Sequence, residues 1–195
     1  LSVPLAKLMG ADWGPIALAG LLYLGAFVGL LIYSVLRRAR GRSLRSRSLE
    51  RKDLPFLAGS IFFGGVLGPI LLMVGLSQST ASSASLMLNL EGVLTAIIAV
   101  LVFKEHAGRH LWTALLLMTV GSVVLSYDHA IGGFDVGPTL IVVLAMGCWA
   151  LDNNITRRIS DKDPVTISML KGLFAGSITF SIALLWNDAM SGLDQ

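Results

Sequence analysis

Glu91 is a carboxylate in an otherwise apolar run, Ser83 to Phe103, which reads SASLMLNLEGVLTAIIAVLVF. An ionised residue at the centre of a membrane helix costs about 2.5–3.5 kcal/mol on insertion scales. Glu91 must therefore face a bundle interior, a watery cavity or a partner, or carry a proton. Two readings follow: a cavity group that binds a cationic substrate or takes up a proton, and a paired group that pins helix packing. Ser85, Asn89 and Thr95 add polar atoms to the same run, with Asn89 on a different helical face from Glu91. Gln78 and Ser79 lie just before it, where an outer mouth is expected. Lys171 is the other charge inside an apolar block; its stem reaches the interface by snorkelling, or, if it sits deeper, it pairs with Glu91.

Other chemistry has little support. His106 and His110 in EHAGRH have the i, i+4 spacing of zinc ligands, but a third ligand and an HExxH pattern are missing, so no metal is expected. Neither a GxSxG elbow nor a GxxxxGK[ST] phosphate loop occurs, and no nucleophile–base pair stands out. An enzyme is not expected, nor any cofactor. The single cysteine, Cys148, cannot form an intrachain disulfide.

The elements that would position these residues are long apolar helices. Of the 195 residues 54% are hydrophobic and 14% charged, against about 25% charged in soluble domains. The mean hydropathy is +0.76. About 20 helical residues cross the ~30 Å hydrocarbon layer. Segments of that kind lie at Gly14–Leu36, Leu54–Leu76, Ala81–Phe103, Leu111–Tyr127, Gly137–Ile155 and Val165–Trp186. The fold class is all-α, a polytopic membrane protein with six full transmembrane helices. Glycines punctuate them: Gly25 with Gly29, Gly64 with Gly68, and Gly172 with Gly176 form GxxxG spacings that allow close helix approach. Pro69 removes a backbone bond and is read as packing or as a hinge.

Loop charge orients the spans. Arg37 to Lys52, RRARGRSLRSRSLERK, is a basic run expected on the cytoplasmic side rather than on nucleic acid. After it, SQST and DHAIGGFDV lack Lys and Arg, whereas KEHAGRH and TRRISDKD carry them, so basic and non-basic loops alternate. Pro15 and Pro164 open similar units, each a polar stretch, an acidic residue, Pro and an apolar helix, which the loop charges run in opposite directions. That is the pattern of an inverted repeat.

The stretch GPILLMVGLSQSTASSASLMLNLEGVLTAIIAVLVFKEHAGRHLWTALLLMTVGSVVLSYD resembles the EamA-type half of the drug/metabolite transporter superfamily, and LIVVLAMGCWALDNNITRRI resembles the first helix of that family's second repeat. The resemblance implies a ten-helix permease of two inverted five-helix repeats. Residues 1–128 would hold the first repeat without most of helix 1, and 129–195 helices 6 and 7 of the second. The start at Leu1 fits a piece of a longer protein, and no signal peptide is visible. One departure is Gly92, where the family commonly has Pro after the residue matching Glu91. Glu105 matches a family position and is expected to be structural or gating, paired with Lys104 or Arg109. The implied function is secondary-active transport of small metabolites or drugs by alternating access; the alternative is a non-transporting membrane scaffold. Expected partners are a small-molecule substrate, the lipid bilayer of the cell (inner) membrane and, in a homodimer, a second copy. Glu91, Asn89, Ser85, Gln78 and Ser79 would bind substrate, and Glu105, Lys171 and Pro69 would gate or support the fold.

Overall fold

A computed structural model of the chain describes residues 15–40, 47–77, 87–104, 106, 108–126 and 136–191. All of its regular structure is helical. Helix α1 is Pro15–Ala39. Helix α2 is a continuous run of a 3₁₀ turn Arg51–Asp53, an α-helical stretch Leu54–Ser60, a π-helical stretch Ile61–Leu67 and a second α-helical stretch Gly68–Ser77. Then come α3 Leu90–Leu101, α4 Arg109–Ser126, α5 Val136–Arg157 and α6 Pro164–Ser191. Among the described residues four helices are long and apolar enough to cross a membrane, at Ile16–Ala39, Arg51–Gly75, Val136–Arg157 and Pro164–Leu185. Their ends lie within a few residues of the expected spans. The expected third span is described only as the twelve-residue α3, and the fourth as the eighteen-residue α4, which is not among the four.

The outer surfaces are apolar. Leu101, Leu117 and Leu185 are each about two-thirds exposed. A water-soluble surface rarely tolerates so many large apolar side chains in contiguous patches, whereas hydrocarbon solvates them at no cost.

The chain folds as two compact units, one of residues Leu1–Val66 with Arg158–Gln195, the other of Leu67–Arg157. In the first, α1 packs on α6 through glycines. A Cβ on Gly172 would lie 2.9 Å from the Tyr23 carbonyl oxygen, and one on Gly176 would lie 2.9 Å from the Leu24 nitrogen. Gly20 answers from α1, where an added Cβ would meet Phe180 backbone at 2.7 Å. The Gly172/Gly176 spacing thus makes a close crossing. Gly25 and Gly29 do not: among the described residues nothing lies within 4 Å of an added Cβ at either. They fall on the open face of α1, because the stripe that meets α6 runs through Gly20, Leu24 and Phe27.

The irregular part of α2 has a cause in the sequence. Pro69 has no N–H to give to the carbonyls four and five residues before it, those of Gly65 and Gly64. Both find hydroxyl donors on other helices. Thr179 Oγ1, fully buried, donates to the Gly65 carbonyl at 3.1 Å, and Tyr23 Oη donates to the Gly64 carbonyl at 3.1 Å. In an apolar medium an unsatisfied carbonyl is costly, so these two hydroxyls make the π-helical stretch tolerable.

The loops of this unit are tied by charge. Lys162 is 4% exposed, its Nζ 3.2 Å from Glu50 Oε1 and 3.3 Å from the buried Asp53 Oδ2. Asp53 also accepts the Glu50 backbone N–H at 2.8 Å. Burial works against the Lys162 ammonium, but the hydrogen bonds it donates to Glu50 and Asp53 and the charges of Asp161 and Asp53 outweigh it and raise its pKa. Hydrogen bonds from Lys52 and Lys162 lower that of Glu50. Next along the chain, Asp163 accepts the Thr166 backbone N–H at 3.1 Å and Pro164 fills the first helical position, which sets where α6 begins.

In the second unit Gly75 brings α2 against Val142 of α5. Leu72, Met87, Val142, Ala145 and Met146 form the core there.

Candidate functional site

Glu91 lies in the first turn of α3, after a turn at Leu88–Asn89 that ends with the Glu91 N–H bonded to the Leu88 carbonyl at 3.2 Å. Regular helix therefore begins beside the carboxylate, and the positive end of the helix dipole lies close to it. The break falls before Glu91, while Gly92 sits within regular helix. Thr95 is one turn further on, on the same face.

The facing helix supplies the partner. Asn153 of α5 donates its Nδ2 to Glu91 Oε1 at 2.8 Å and is 3.4 Å from Thr95 Oγ1. Its neighbour Asn154, 4% exposed, donates to the Thr95 carbonyl at 3.0 Å and to the Ala150 carbonyl at 2.8 Å. The two asparagines do different work. Asn154 serves backbone acceptors and pins α5 to α3. Asn153 meets side chains at a surface that remains open.

That surface is a cavity of about 360 Å³ with Gly92, Thr95, Asn153 and Asn154 on its walls and His106 and Arg157 also lining it. Asn153 and Arg157 are one turn apart on α5. The cavity thus combines an amide and a hydroxyl beside a carboxylate with a guanidinium and an imidazole. It can offer hydrogen bonds and both signs of charge to a small polar solute, in a size range common for small-molecule sites. His106 precedes the start of α4, so it and His110 do not share a helix; among the described residues no three of His, Cys, Asp and Glu converge as metal ligands.

Of the residues expected to bind substrate, Glu91 is half-buried beside this cavity, and Asn89 is exposed at the N-cap of α3, where its side chain makes no capping bond. Ser85, Gln78 and Ser79, and the gating candidate Glu105, lie outside the described residues. Pro69 is buried in α2 two residues after the π-helical stretch, and Lys171 is half-buried in α6, in the other compact unit from Glu91. Asn153, Asn154, His106 and Arg157 were not among the expected site residues. The signal for the asparagines was present: LDNN interrupts an apolar span as abruptly as Glu91 does.

Comparison with known proteins agrees with this picture. The model of the EamA-like transporter family matches residues 1–127. An uncharacterized transporter of Methanothermobacter thermautotrophicus is 26% identical over 197 residues, covering 95% of this chain and 57% of the relative. The uncharacterized transporter YdfC of Bacillus subtilis is 28% identical over 120 residues, 60% of this chain and 36% of the relative. The chain therefore spans little more than half the length of the first relative and about a third of the second. No solved structure matches it at a significant level. With a family match over most of its length and apolar helices that carry a polar cluster, the chain belongs to the EamA-like transporter family.

Proposed function

We propose that the chain is part of a secondary-active permease that moves small metabolites or drugs by alternating access between two inverted five-helix repeats, 1–128 and the beginning of a second at 129–195. The observation that carries this reading is the Glu91–Asn153–Thr95 cluster, whose Asn153 and Thr95 line a cavity between apolar helices. A carboxylate serving packing alone needs no adjoining space. In this reading the substrate contacts Glu91 and Asn153, with Asn89, Ser85, Gln78 and Ser79 along its path. Pro69 with the π-helical stretch of α2 acts as a hinge, and Glu105 and Lys171 act as gating or supporting charges. The basic loop 37–52 is cytoplasmic and the protein resides in the cell membrane, the inner membrane in a bacterium.

The test is uptake of a solute panel by proteoliposomes holding the full-length protein, first to find an accepted solute and then with Glu91→Gln and Asn153→Leu. Flux is expected to fall at least tenfold, about 1.4 kcal/mol, at equal protein incorporation. Unchanged flux of every accepted solute, with a lower folding yield, would assign the carboxylate to packing. No flux of any solute would favour the non-transporting scaffold.

A further inference from the structure

We propose that α2 and α6 form a binding site for one anionic phospholipid, with an acyl chain in the groove between them and the headgroup at Arg51. The groove, about 580 Å³, is lined by Leu54, Ala58 and Phe62 of α2 and by Phe174, Ile178 and Ile182 of α6. On each helix these are positions four apart, and Leu57 and Ile61 widen the α2 wall beside them. Ala58, the smallest, sits mid-stripe and creates the recess. The Phe62 and Phe174 rings are each about half exposed and stand as its rims. Such a recess is too apolar for a polar solute.

Charge and length identify the occupant. Arg51 is exposed and three residues before Leu54, at the head of the same α2 stripe. The neighbouring cations are engaged: Lys162 with Glu50 and Asp53, and Lys52 with Glu50 at 2.9 Å. Among the described residues Arg51 makes no ion pair, and a guanidinium matches phosphate geometry with paired N–H donors. From Leu54 to Val66, the last α2 residue on the groove, the helix rises at most about 18 Å, less over its π-helical part, which is close to one leaflet of a ~30 Å hydrocarbon layer. A cation at the interface above a leaflet-deep apolar slot fits a phospholipid of that leaflet. The site depends on α2 and α6 crossing a bilayer, and not on transport.

Full-length protein would be delipidated in mild detergent and exposed to an equimolar mixture of phosphatidylglycerol and phosphatidylcholine. Retained lipid would then be quantified by mass spectrometry. Phosphatidylglycerol should be retained about fivefold over phosphatidylcholine. Arg51→Gln should erase that preference while phosphatidylcholine is still retained. Ala58→Trp, which fills the recess, should lower retention of both lipids; if it fails to fold, Ile178→Trp tests the opposite wall. Equal retention of both lipids by the unaltered protein would overturn the proposal. So would unchanged retention in the groove-filling variant, or shielding of a cysteine at position 58 by another segment of the full-length chain. Retention is read without any flux measurement, so the lipid site and the permease reading succeed or fail separately.

Discussion

At the scale of single residues, charge within or beside the apolar layer decides most of what is distinctive here, and each charged group has a different reason to be tolerated. Glu91 sits at a helix start and accepts from Asn153. Lys162 is enclosed by Glu50 and Asp53, in a loop outside the spans. Because the Glu50 pKa is lowered from 4.5, its contribution to stability is present above that value and lost as pH falls through the lowered one. Because the Lys162 pKa is raised from 10.5, its contribution is present below that value and lost as pH rises through the raised one. The thermal midpoint should therefore be flat between roughly pH 5 and 10 as far as this cluster is concerned, and fall on either side. Lys162→Met should lower the midpoint at neutral pH, since it strands the buried Asp53 carboxylate. The double variant Lys162→Met/Asp53→Asn should recover part of that loss. A double variant no better than the single would show that Asp53 does not depend on Lys162.

Among the elements, α1, α2 and α6 are joined by close glycine contacts and by hydroxyls placed on carbonyls. Gly172→Ala would put a methyl 2.9 Å from the Tyr23 carbonyl oxygen, and should destabilise by about 1–3 kcal/mol in a denaturation assay of the detergent-solubilised protein. The same change at Gly25 meets open space and should be neutral or stabilising by up to about 1 kcal/mol, the helix-propensity gain. Equal costs at the two positions would argue that α1 meets α6 by another face. Thr179→Val should cost about 0.5–1.5 kcal/mol, because the Gly65 carbonyl loses its cross-helix donor. With Pro69→Ala, a backbone N–H becomes available to that carbonyl, so the Thr179→Val penalty should shrink. An undiminished penalty would mean that Thr179 serves packing and not the freed carbonyl.

For the whole molecule the decisive quantity is the direction of the spans. Loop charge predicts opposite faces of the membrane for Gly41 and Gly132, both outside the described residues. Reporter tags at these positions in the full-length protein should be labelled from opposite compartments. Labelling of both from one side would contradict an odd number of crossings between them and, with it, the proposed inverted arrangement of the repeats. The chain covers 57% of its Methanothermobacter relative, so flux measurements belong to the full-length protein.

Hydropathy and loop charge are properties of short stretches, which is why the helix positions of α1, α2, α5 and α6 were legible to within a few residues. The consequences of Pro69 and Pro164 were legible for the same reason: a missing N–H and a fixed φ act on the turn that holds them. The sequence alone also indicated that Glu91 must face the bundle interior, a watery cavity or a partner, or carry a proton, since the cost of a bare carboxylate in hydrocarbon is independent of the fold. It could not name Asn153, 62 residues away, because helical periodicity assigns a residue to a face but not that face to a neighbour. Three GxxxG spacings looked alike as letters, yet Gly172 and Gly176 lie in a crossing and Gly25 and Gly29 lie open. Those choices were left to tertiary packing, where contacts between distant segments, rather than local preference, decide which polar groups meet.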